Sequence, residues 1–102
     1  MPDIPRASVI IPARDEGPVI GGTLNRLSPA LPPGCEVLVV VDDPADSTRA
    51  AVAGRADVRC VVSSYGRGPA NAIRFGLDAA RGPVAVVTMA PTAATTRARP
   101  PS

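Results

Sequence analysis

Short apolar runs punctuate the chain at Ser8-Val9-Ile10-Ile11, Glu36-Val37-Leu38-Val39-Val40-Val41, Val58-Arg59-Cys60-Val61-Val62 and Val84-Ala85-Val86-Val87. Each is too short for a buried helix and rich in β-branched residues, so each predicts a strand. The runs are continuous rather than alternating, which predicts strands covered on both faces, as in a parallel sheet flanked by helices.

The connections carry a different period. From Gly17 to Leu31, Val19, Ile20, Leu24 and Leu27 recur every three or four residues, which predicts a helix ended by Pro29, Pro32, Pro33 and Gly34. Ser47 to Gly54 predicts a short Ala-rich helix with Asp46 or Ser47 as its N-cap. Pro69 to Arg81 predicts a third, with Ala72, Ile73, Leu77 and Ala80 on one side and Gly82-Pro83 closing it. The order is β-α-β-α-β-α-β, an α/β fold of about four mostly parallel strands with right-handed crossovers expected. Beyond Ala90 the periodicity stops, so residues 1–90 read as one unit and 91–102 as a disordered tail.

Composition narrows the class. A chain of 102 residues holds one small domain or part of one, and with only Tyr65 and Phe75 aromatic its core must be aliphatic. The net charge is +2, every basic residue is Arg, and no basic run is interleaved with aromatics, which argues against nucleic acid as a partner. Cys35 and Cys60 lack metal-ligand spacing and no His is present, so they read as small thiols of a reduced compartment. The run Val9-Ile10-Ile11 ends at Pro12, too short for a secretory leader, and no run nears the roughly 20 apolar residues of a membrane span. A soluble, cytoplasmic chain is expected.

In an open α/β sheet, ligands bind beyond the carboxyl ends of the strands. The residues there are polar: Pro12-Ala13-Arg14-Asp15-Glu16-Gly17, Asp42-Asp43-Pro44-Ala45-Asp46-Ser47-Thr48 and Ser63-Ser64-Tyr65-Gly66-Arg67-Gly68. Asp42 and Asp43 follow Val41 there as two adjacent carboxylates able to accept hydrogen bonds. The Gly66-Arg67-Gly68 loop joins backbone N–H groups, a helix N-terminus and one cation, a combination that favours diphosphate, with Arg67 as the contact. Gly66-x-Gly68 is a poor dinucleotide fingerprint, since it does not follow the first strand and Asn71 replaces the third glycine. Asp42 and Asp43 make a poor hydrolase pair, because neighbours on a strand point to opposite faces.

These segments, taken in order, resemble family 2 glycosyltransferases. The first strand and its turn, Ser8 to Glu16, resemble the start of that family; Val40-Val41-Asp42-Asp43 with Ser47-Thr48 resembles its second-strand motif; Gly66-Arg67-Gly68-Pro69-Ala70-Asn71 with Gly76 resembles its third helix entry. The resemblance spans residues 7 to 90 and is nearest to dolichyl- or polyprenyl-phosphate sugar transferases. It implies a partial glycosyltransferase A-type fold, a UDP- or GDP-linked sugar donor, a lipid-phosphate acceptor at the cytoplasmic membrane face, and nucleotide-sugar contacts from Pro12, Arg14, Glu16, Val41, Asp42, Asp43 and Arg67. Where the family carries Asn this chain has Asp15, which is expected to point away from the ligand.

The resemblance also implies Mg²⁺ or Mn²⁺ held by an acid after the fourth strand. Thr88-Met89-Ala90 arrives in place, but Pro91 follows and offers no ligand. Codons for Ala90 to Arg97, read after skipping two bases, permit Ala-Asp-Gly-Ser-Asp-Asp-Pro, which restores the acid. Residues 91–102 are therefore expected to be out-of-frame translation, leaving a truncated, metal-free and inactive N-terminal part. The alternative is a non-catalytic nucleotide-binding or regulatory module. A sugar-phosphate nucleotidyltransferase fits poorly, because its first loop would be rich in Gly and basic residues.

Overall fold

A computed structural model describes residues 4–88. The elements run β1 (Ala7–Pro12), α1 (Gly17–Leu27), a 3₁₀ turn (Ser28–Ala30), β2 (Cys35–Val41), α2 (Ser47–Val52), β3 (Arg59–Val62), α3 (Pro69–Ala79) and β4 (Ala85–Val87). The strands form one parallel sheet in the order β3-β2-β1-β4. The α/β sheet with flanking helices matches the sequence expectation. The tail and the Pro91 position lie outside the described residues.

β1 and β2 occupy the centre of the sheet, and their continuous apolar runs are buried on both faces. On one face Val9, Ile11, Val37 and Val39 meet Ile20 and Leu24 of α1 and Val52 of α2. On the other, Ile10, Leu38 and Val40 meet Ala72, with Phe75, Ala79 and Ala80 packed alongside. Two such layers are what a parallel sheet requires.

Two expectations change. The predicted helix 17–31 tightens into the 3₁₀ turn after Leu27, because Pro29 supplies no N–H to continue the ladder. The face of α3 is turned relative to its predicted stripe: Leu77 is 45% exposed, while Gly76 is buried. A Cβ at Gly76 would lie 2.5 Å from Ile10 Cγ2 and 3.1 Å from Val40 Cγ2, so the glycine lets α3 sit directly on the sheet. That approach outweighs the roughly 1 kcal/mol that Gly costs inside a helix.

β4 departs from the pattern of covered strands. Val84, Val86 and Val87 are 57%, 51% and 39% exposed, because among the described residues nothing pairs with the outer edge of β4.

Candidate functional site

All strands are parallel, so the segments after β1, β2 and β3 share one rim of the sheet. The segment after β2 is the central one. Asp46 has extended dihedrals and caps α2, its Oδ1 accepting from Thr48 N–H at 2.8 Å. Asp43 closes a turn on itself, with Oδ1 accepting from Ala45 N–H at 2.9 Å.

The segment after β1 is fastened to that cap. Three consecutive amides, those of Asp15, Glu16 and Gly17, donate to three consecutive side chains of the α2 entry. Asp15 N–H lies 3.0 Å from both carboxylate oxygens of Asp46. Glu16 N–H reaches Thr48 Oγ1 at 2.8 Å, and Gly17 N–H reaches Ser47 Oγ at 3.2 Å. Aiming successive amides the same way requires a left-handed residue, and Asp15 takes that role with φ of +52°. Gly17 is required by proximity, since a Cβ there would lie 2.8 Å from Ser47 Oγ. Asp15 and Arg14 keep exposed side chains.

Glu16 behaves differently. It is only 5% exposed, and its carboxyl makes no hydrogen bond among the described residues. Burial pushes its pKa up, and the nearby Asp46 and Asp15 carboxylates push it further. No buried side-chain oxygen among the described residues lacks a partner, so the Glu16 carboxylate, though its residue is mostly covered, stays reachable from the rim and can accept from an incoming donor.

The segment after β3 is tied in from the other side. Ser63 N–H donates to Val41 C=O at 2.7 Å. Gly66 and Gly68 both have positive φ, near +103° and +105°. Gly68 N–H donates to Asp42 Oδ2 at 2.9 Å, and Asn71 Nδ2 donates to Arg67 C=O at 3.0 Å. Tyr65 anchors the outer side, its hydroxyl 2.6 Å from Asp78 Oδ2 and its ring edge-on to Phe75 at 5.0 Å. Arg67 projects into solvent and pairs with no acid among the described residues.

The seven candidates thus fall into distinct positions. Arg14, Glu16, Asp42, Asp43 and Arg67 are carried by the rim. Pro12 is buried in the last β1 pair, opposite Val40. Val41 has a wholly buried side chain, and its carbonyl is engaged by Ser63, so it forms the floor of the rim. At the entry to α3, where the sequence suggested diphosphate, the N-cap amide of Gly68 donates to the carboxylate of Asp42. Of the two caps the sequence offered, Asp46 and Ser47, the role falls to Asp46, and no local signal showed that Asp46, Ser47 and Thr48 also bind the neighbouring loop, since these partners lie 30 or more residues apart.

The sequence model of Glycosyl transferase family 2 matches residues 8–89, most of the chain and all three rim segments. The chain belongs to this family. Its members transfer sugars from nucleotide-sugar donors, and the four-stranded parallel sheet with flanking helices agrees with a partial form of the family's fold. No curated protein matches the chain.

Family members typically use a divalent metal. The described residues do not fit one: no cluster of three metal-ligating side chains occurs among them. Asp42 and Asp46 spend oxygens on backbone N–H groups, a donor set suited to amides rather than to a cation. Among the described residues, no helix is long and apolar enough to cross a membrane.

Proposed function

We propose that the rim of this chain binds the nucleoside part of a nucleotide-diphospho-sugar, UDP- or GDP-linked, for sugar transfer to a polyprenyl or dolichyl phosphate. The observation that carries the reading is Glu16, held in the turn after β1 with a carboxylate that no described donor reaches and that stays accessible from the rim. A base N–H or ribose hydroxyl supplies a donor that the chain itself does not.

Arg14 and the turn around it border the base, and Asp43 accepts a second hydrogen bond from base or ribose. The donor's diphosphate meets the exposed side chain of Arg67 beside the entry to α3. These groups bind and orient the donor. None of them is placed to deprotonate an acceptor, so no catalytic base is assigned among the described residues. The lipid-phosphate acceptor follows from the resemblance of the strand-end motifs to that branch of the family.

Calorimetric titration with UDP and GDP tests the reading, with Asp43→Ala as the comparison. Binding of one nucleotide that weakens roughly tenfold in Asp43→Ala, the effect of one lost charge-assisted hydrogen bond, supports it. Failure of both nucleotides to bind at millimolar concentration refutes it.

A further inference from the structure

Asp42 and Asp46 are easily taken for ligand contacts, because they crowd the end of β2 together with Asp43. Their hydrogen bonds point elsewhere. Asp46 is 7% exposed, and both its oxygens accept from Asp15 N–H while Oδ1 also holds the α2 cap. Thr48 is wholly buried, and its hydroxyl oxygen accepts from Glu16 N–H. Asp42 reaches in the opposite direction, across 26 residues of sequence, to Gly68 N–H. Asp43, in contrast, bonds only within its own turn among the described residues.

We infer that Asp42, Asp46 and Thr48 are positioning residues: the β2–α2 segment clamps the loop after β1 on one side and the loop after β3 on the other. The inference deepens the nucleotide reading and rests on it for its functional part. Asp46 and Thr48 set where Glu16 and Arg14 stand; Asp42 sets where Arg67 stands by fixing Gly68 at the entry to α3. The role needs an acceptor oxygen and not a negative charge. Asn in place of Asp42, and Ser in place of Thr48, should therefore serve.

The test pairs amide hydrogen exchange by NMR with calorimetry using UDP and GDP, on the full chain. Asp42→Ala should expose the Gly68 amide and Thr48→Val the Glu16 amide, each exchanging about tenfold faster, and each should weaken nucleotide binding about tenfold. Asp42→Asn and Thr48→Ser should keep both the protection and the affinity to within about twofold of the parent. Unchanged amide protection in Asp42→Ala and Thr48→Val would overturn the clamp. So would an Asp42→Asn protein as weak in binding as Asp42→Ala, since that result makes charge on the ligand the role of Asp42. If the parent binds neither nucleotide while the amides respond as stated, the clamp stands and the nucleotide reading falls.

Discussion

The two ends of the sheet each hold a largely covered glutamate, and they treat it in opposite ways. At the amino end, Glu36 gathers donors: the Ser8 hydroxyl at 2.5 Å, Arg81 N–H at 2.6 Å and the Arg59 guanidinium at 3.2 Å. Gly82 N–H closes the group by donating to Ser8 Oγ at 3.0 Å. Burial pushes the Glu36 pKa up, but these hydrogen bonds and the Arg59 charge more than offset it and hold the carboxyl below its ordinary range. At the carboxyl rim, Glu16 is partly desolvated, with two acids for neighbours and no described donor on its carboxylate, and its pKa rises. One end is satisfied and fastens β1, β2 and the α3–β4 connection together. The other is left wanting, as a binding rim must be, since a site whose polar groups are all paired has nothing to offer a ligand.

The comparison breaks most visibly at the satisfied end. Glu36→Ala should destabilise the fold by about 3 kcal/mol at neutral pH, because hydrogen bonds to a charged group are lost together and Arg59 loses its partner. Urea denaturation checks this. The sign with pH follows from linkage: the Glu36 contribution is complete above its unfolded value of 4.5 and disappears as pH falls through the lower folded value. The parent and variant should therefore converge in acid.

Gly17→Ala comes next, at about 2 kcal/mol, since the new methyl meets Ser47 and must push the two rim loops apart. Thermal melting measures it. At the same rim Glu16→Gln should act in the opposite direction and stabilise by about 0.5–1 kcal/mol at neutral pH. The cost of charged Glu16 accumulates as pH rises from 4.5 through the raised folded value, so the advantage of Gln should vanish below that window. The same variant should bind nucleotide more weakly, trading function for stability. The smallest stability effect belongs to Arg67→Ala, within about 0.5 kcal/mol, because the side chain is exposed and unpaired among the described residues. Its signature should be a reduced preference for UDP or GDP over the free nucleoside, read by calorimetry.

Much of the architecture was legible because it is local. The valine-rich runs at β1 and β2 announce buried parallel strands, and Asp46 before an Ala-rich stretch announces a capped helix. What escaped is long-range. Leu77 fits the helical period of α3, yet the helix is turned by the contact of Gly76 with Ile10 and Val40, which no spacing within the helix reveals. The valines of β4 read as a covered strand like the others, but their exposure depends on what lies beside them rather than on the run itself. At the rim, the strand-end rule located the right segments, and the Asp-Asp and Gly-x-Gly pairs named the right residues to inspect. The division of labour between them was hidden, because Asp42 and Asp43 look alike in sequence and differ only in how far their hydrogen bonds reach.

The contrast between the two glutamates is tested most directly by following both carboxyl carbons by NMR across a pH titration, with and without saturating UDP or GDP. Glu36 should titrate below 4.5 in both conditions, and Glu16 above 4.5 in the free protein, moving down when nucleotide supplies its missing donor. Two glutamates that titrate together near 4.5, with Glu16 indifferent to both nucleotides, would contradict the account.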